Sequence, residues 1–235
     1  MNEPAPAIAA PRSDPASAWD GSVQPILERL LNGGRDGAER LVTDLQKGSR
    51  ELAALSLNYN GHSSRAGVHN ATLATIDAEL AEAAAVLARV HFGLQQRLLL
   101  DVHALTRLAR LARTVDLEDE RPPAERARGA VDAYAAALGA SMHEARAAVA
   151  GLAGRLRVLA NNMEIAVCLS AVLTEAPVEL FIAMAGQMRA QALRLQAIAD
   201  DLTLFEQTQG GNAEAARLSL LMLHDEPDRR QGAAA

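Results

Sequence analysis

The sequence predicts an all-α protein, an elongated antiparallel helical bundle with long coiled-coil-like helices. Three observations carry that expectation. Alanine, leucine, arginine and glutamate, the residues that lose least on entering a helix, recur throughout, and aromatic residues are only 3% of 235. Apolar residues step by three and four over long stretches, with no alternating β-branched run from which a sheet could be built. Finally, Thr174-Glu175-Ala176-Pro177 parts two such stretches by so short a turn that they should pack antiparallel.

Residues 1 to 18 carry Pro4, Pro6, Pro11 and Pro15 among alanines and serines, and are expected to form a disordered leader. Residues 19 to 60 are expected to form short N-terminal helices, from about Ser22 to Tyr59. They should break at Asn32-Gly33-Gly34, because paired glycines are strong helix stops. The polar segment from Asn58 to Asn70, with Gly61 and Gly67, reads as a loop.

A long-helix bundle is expected over residues 70 to 208. Asn70 is placed to cap a helix whose seam runs through Leu73, Ile76, Leu80, Ala83, Leu87, Val90 and Leu94. It then slips by one step to Leu98, Val102, Leu105, Leu108, Ala112 and Val115. Such a helix, about 45 residues at 1.5 Å each, is roughly 67 Å long.

The acidic stretch Asp116 to Glu120 and Arg121-Pro122-Pro123 should interrupt it, since proline excludes its predecessor from the α region and pre-sets the start of the next helix. A hairpin over 125 to 208 follows. Its first arm carries Val131, Ala135, Leu138, Met142, Ala145, Val149, Leu152, Leu156, Leu159, Met163, Ala166, Ser170 and Leu173, a seam long enough to read as coiled-coil-like.

Its second arm carries Phe181, Met184, Met188, Gln191, Leu195, Ile198, Leu202 and Phe205, and Gln209-Gly210-Gly211 is expected to close it. A short C-terminal helix from Asn212 to about Leu223 and a frayed tail complete residues 212 to 235. The total is an elongated antiparallel bundle of roughly four to six helices.

Composition narrows the function classes. Basic and acidic residues are interspersed and the formal net charge is -6, which argues against a nucleic-acid partner. The single cysteine, Cys168, is expected as a small apolar filler within its helix, and it fits a reducing compartment. Met1-Asn2-Glu3-Pro4 begins neither the basic nor the apolar region of a secretory signal, so the cytoplasm is the expected location. The most apolar stretch, Ile165 to Ala185, is interrupted by Glu175, Pro177 and Glu179, and no membrane span is expected.

No residue cluster declares a chemistry. The six histidines are scattered, and no two lie three or four apart on a helix. His62 and His69, flanking the expected loop, are the nearest approach to a metal pair. His91, beside Phe92 and the seam residue Val90, is the one haem-ligand candidate and reads more simply as an interface polar residue. No Glu-x-x-His motif, phosphate-cradling glycine loop or Gly-x-Ser-x-Gly elbow occurs. Neither a metal nor a cofactor is expected. His103, in Val102-His103-Ala104-Leu105-Thr106-Arg107, has roughly the setting of a phosphotransfer histidine, without the glycine clearing that usually follows one. Glu164 and Asn161-Asn162 interrupt an apolar stretch, as a solvated face or as a device for register or partner choice.

The segment from about Arg155 to Leu202 resembles the cytoplasmic signalling hairpin of bacterial methyl-accepting chemoreceptors. That family's descending arm ends in an Asn-Leu-Leu-Ala-Leu-Asn-Ala-Ala-Ile-Glu-Ala-Ala-Arg type motif, and its ascending arm begins Phe-Ala-Val-Val-Ala-Asp-Glu-Val-Arg. Here Phe181, Ala185 and Arg189 coincide with the ascending pattern, and Met184, Gln187 and Met188 are near matches. Leu169, Ala171 and Ala176 coincide with the descending one, while Ser170 replaces an asparagine and Leu173 an isoleucine. The glycine-rich tip is missing, Pro177 stands where an arginine would be, and no Glu-Glu or Gln-Glu methylation pair is present.

The resemblance implies a divergent receptor-like protein in which Leu169, Ser170, Leu173, Glu175, Phe181, Met184 and Arg189 form a partner-binding tip. The implied partner is a chemosensory kinase or coupling protein. From the residues themselves, a non-enzymatic signalling or interaction module is expected, one that self-associates; its seam from Val131 to Leu173 exceeds what a short partner helix can cover, so either Leu73 to Val115 or a second chain must cover the rest. A phosphotransfer bundle using His103 and a purely scaffolding bundle are the alternatives.

Overall fold

In the computed structural model the described backbone covers residues 15–65, 71–111, 123–171 and 178–232, and the described side chains cover 25–63, 72–98, 125–169 and 178–222. All of this backbone is helical, and no strand occurs among the described residues. The helices are α1 (Pro15–Arg65), α2 (Ala71–Leu111), α3 (Pro123–Ala171) and α4 (Val178–Gly232). Each packs on the helix before and after it, and α4 closes onto α1, with α3 and α4 making the most extensive interface. The result is an all-α, antiparallel four-helix bundle. With 41 residues in the shortest helix and 55 in the longest, the helices run about 60 to 80 Å.

The seams read from the sequence form the core. Leu73, Ile76, Leu80, Ala83, Leu87 and Leu94 of α2 are buried, as are Val131, Leu138, Met142, Val149, Leu152, Leu156 and Met163 of α3. On α4, Phe181, Met184, Met188, Leu195, Ile198 and Leu202 face them. Gln191 interrupts that series, and its Nε2 donates to Glu51 Oε2 of α1 at 2.7 Å. Pro123 opens α3, where its fixed φ and missing N–H cost nothing, and Glu125 sits in the first turn, where a carboxylate favours the helix dipole. The outer positions of the α2 seam, from Val102 on, lie outside the described side chains.

The expected glycine stops are corrected by the structure. α1 runs unbroken through Gly33-Gly34, because these glycines lie where α4 comes close. A Cβ on Gly33 would stand 3.1 Å from Asn212 Nδ2, one on Gly34 3.1 Å from the Gln209 carboxamide, and one on Gly37 2.8 Å from the Phe205 ring. α4 likewise continues through Gly210-Gly211, with no separate C-terminal helix starting at Asn212. Ala213, Ala216 and Leu220 carry its inner face onward against Leu27 and Leu30 of α1 and Ala127 and Val131 of α3. Packing thus outweighs the roughly 1 kcal/mol that each interior glycine costs a helix.

The loop expected from residue 58 is also corrected over 58–65, where α1 extends to Arg65. Tyr59 holds this end: it is fully buried, and its hydroxyl donates to the Leu73 carbonyl at 2.7 Å. Its ring meets Phe181 edge-on, with centroids 6.0 Å apart. Burial first, and the Asp77 carboxylate second, push the phenol above its ordinary pKa. The rest of that expected loop, 66–70, and the expected leader up to residue 14 lie outside the described residues, while the leader's last four residues, 15–18, are corrected to the first turn of α1.

The core has two parts. A large cluster draws on all four helices, and a smaller one joins α1, α3 and α4. Gln209 lies between them against Gly34, is only 1% exposed, and has no hydrogen-bond partner for either carboxamide atom among the described residues. A buried amide in that state costs roughly 1–3 kcal/mol.

Candidate interaction site at the α3–α4 hairpin

The α3–α4 hairpin is held in register by polar pairs that the seams alone do not reveal. Glu164 of α3 receives both terminal nitrogens of Arg189 on α4, with Nη2 at 2.6 Å from Oε2, and Nη2 also donates to Asn161 Oδ1 at 2.9 Å. The hydrogen bonds from Arg189 hold the Glu164 carboxyl below its ordinary pKa, and the same bonds raise that of the guanidinium. On the other flank Arg194 pairs with Glu51 of α1, which also accepts from Gln191. Two arginines near the start of α4 therefore tie it to α3 and α1. The polar interruption at Asn161 and Glu164 is the α3 half of this polar set across the hairpin.

The residues expected at the tip divide by placement. Leu169 is 66% exposed, on the last described turn of α3. Phe181 and Met184 point into the core, where Phe181 packs on Tyr59. Arg189 is engaged with Glu164. Ser170 lies on α3 with its side chain outside the described residues, and Leu173 and Glu175, with Pro177 of the turn, fall in 172–177, also outside them. Cys168, expected as a filler, is instead exposed, because Ala166 and Val167 take the inward positions of that turn.

Sequence reasoning followed one apolar seam per helix and missed a second on each arm. Val158, Ile165 and Leu169 form an outward row on α3, and all are more than half exposed. Ile182, Leu193, Leu204, Leu218 and Met222 form another on α4. The signal was present as seven- and eleven-residue spacings, each close to a whole number of helical turns.

Among the described residues the histidines do not converge. His91 lies at the α1–α2 interface with a buried, unpartnered Nε2, and burial, then the nearby Arg50 charge, lower its pKa. His62 lies on α1 and His103 on α2, the latter's side chain and the whole of His69 being outside the described residues. Among the described residues no three His, Cys, Asp or Glu side chains gather as metal ligands, and no helix is long and apolar enough to cross a membrane. A groove between α2 and α3 is lined by Val90, Leu94 and Ala145 together with Arg89, Arg97 and Glu144.

No family model matches the chain, and no curated protein matches it. Among solved structures it is similar to one described as the structure of the trypanosome brucei factor H receptor bound to domain D5 of bovine factor H. The identity is 13%, the match covers 88% of this chain and 95% of that chain, and the TM-score is 0.30. A superposition of that quality carries no argument about this chain.

Proposed function

We propose that the chain is a non-enzymatic helical signalling or interaction module, acting in the cytoplasm and self-associating, whose α3–α4 hairpin is its binding element. One observation carries the reading. Both arms of the hairpin are apolar on two opposite faces, one filling the core and one turned outward through Val158, Ile165 and Leu169 on α3 and Ile182, Leu193 and Leu204 on α4. Large exposed apolar residues that recur along one outward helix face favour an interaction surface there. The motif resemblance supplies the candidate partner, a chemosensory kinase or coupling protein met by the tip beside Leu169.

The test uses the full chain as bait in an extract of its own cell, beside variants Leu169→Asp, Ile165→Asp and Glu175→Lys. The reading expects a chemosensory kinase or coupling protein on the wild type and several-fold less on the variants. Recovery of neither protein, or equal recovery on every variant, would sink the tip assignment.

A further inference from the structure

We infer that the outward row of α4 pairs antiparallel with the same row of a second copy of this chain, an inference that rests on the self-association reading above. At 100° per residue, Ile182, Leu193, Leu204, Leu218 and Met222 fall within about 40° of one another, on the side opposite the core-facing residues. The row runs about 60 Å. With a helix about 10 Å across, that is on the order of 600 Å² per copy, set against the ~800 Å² per partner of standard interfaces. The pairing is therefore a reversible dimer, not an obligate one.

Self-complementarity favours a second copy and fixes its direction. Between the large residues stand exposed small ones, and a Cβ on Gly186 or Gly211 would meet nothing within 4 Å. Centre an antiparallel pair near Leu202. Leu193 of each copy then meets Gly211 of the other, Leu218 meets Gly186, and Ile182 meets Met222. Large residues meet small ones twice over, as a twofold interface requires.

The charges agree. Arg189, still 43% exposed beside Glu164, borders the first half of the row, and Glu214 borders the second half on the same side. Antiparallel pairing brings each arginine alongside the other copy's glutamate. Parallel pairing would set each at the height of its own kind.

The test uses the full chain with Cys168→Ser, adding Leu193→Cys, Gly211→Cys or both. Within one helix positions 193 and 211 are about 27 Å apart and cannot join. Under mild oxidation the double variant should form a disulfide-linked dimer at least ten-fold more than either single variant. Sedimentation should show that Leu193→Asp with Leu204→Asp loses the non-covalent dimer while helical circular dichroism and thermal midpoint stay as in the wild type. A single Leu193→Cys chain that cross-links as well as the double variant, or a dimer that survives both aspartates, overturns the pairing and leaves self-association standing. A wild type that stays monomeric overturns both.

Discussion

Glu164 of α3 and Arg189 of α4 face each other across the hairpin, the carboxylate held by both terminal guanidinium nitrogens and Asn161 completing the set. The pair gives the hairpin a pH dependence. A carboxyl whose folded pKa is depressed contributes stability that is present above its unfolded value, about 4.3, and lost as pH falls through the folded one. His91 acts in a higher window. Its folded pKa is also lowered, so below about pH 6.5 the unfolded chain takes up a proton that the folded chain resists, and stability falls as pH drops. Denaturant titrations from pH 8 to 3 should show both slopes. His91→Leu should flatten the upper part and Glu164→Gln the lower.

Glycines of α1, α3 and α4 predict opposite responses to alanine. Gly37→Ala forces a methyl to within 2.8 Å of Phe205 and should cost about 1–3 kcal/mol. Gly129→Ala and Gly210→Ala enter open space within continuous helices and should each stabilise by about 0.5–1 kcal/mol. Urea midpoints of the three variants decide it.

Gln209→Met removes a buried amide with no partner and keeps an unbranched side chain beside Gly34. It should stabilise the bundle by about 1–3 kcal/mol. It should also make the two core clusters unfold more nearly together, read by hydrogen exchange at residues 27–31 and 213–220.

At the hairpin end, Phe181→Ala should cost about 3–5 kcal/mol by emptying the space against Tyr59. Tyr59→Phe keeps the ring contact, loses the bond to the Leu73 carbonyl, and should cost about 1–2 kcal/mol. Thermal melts of both variants separate ring packing from hydroxyl bonding.

Much of this fold was legible because apolar spacing is local. The seams through Leu73 to Leu94 and Val131 to Met163 follow from the helical period alone, and Pro123 marks a helix start by its own geometry. What failed was reading glycine. Gly33-Gly34 looks the same whether it ends a helix or admits a neighbouring one, and only the approach of Gln209 and Asn212, far along the chain, decides between them.

The candidate site was legible only in part for the same reason. Glu164 reads as an isolated polar interruption until the hairpin register brings Arg189 opposite it. The outward row of α4 escaped because the inward series accounted for that helix, and Leu193 and Leu204 filled no place in it.

Light scattering of the wild-type chain from about 1 to 100 micromolar tests the interaction-module account most directly. The account predicts a mass that rises from one chain towards two across that range, spanning the micromolar affinities of reversible interfaces of this size. A strict single-chain mass at every concentration would contradict it.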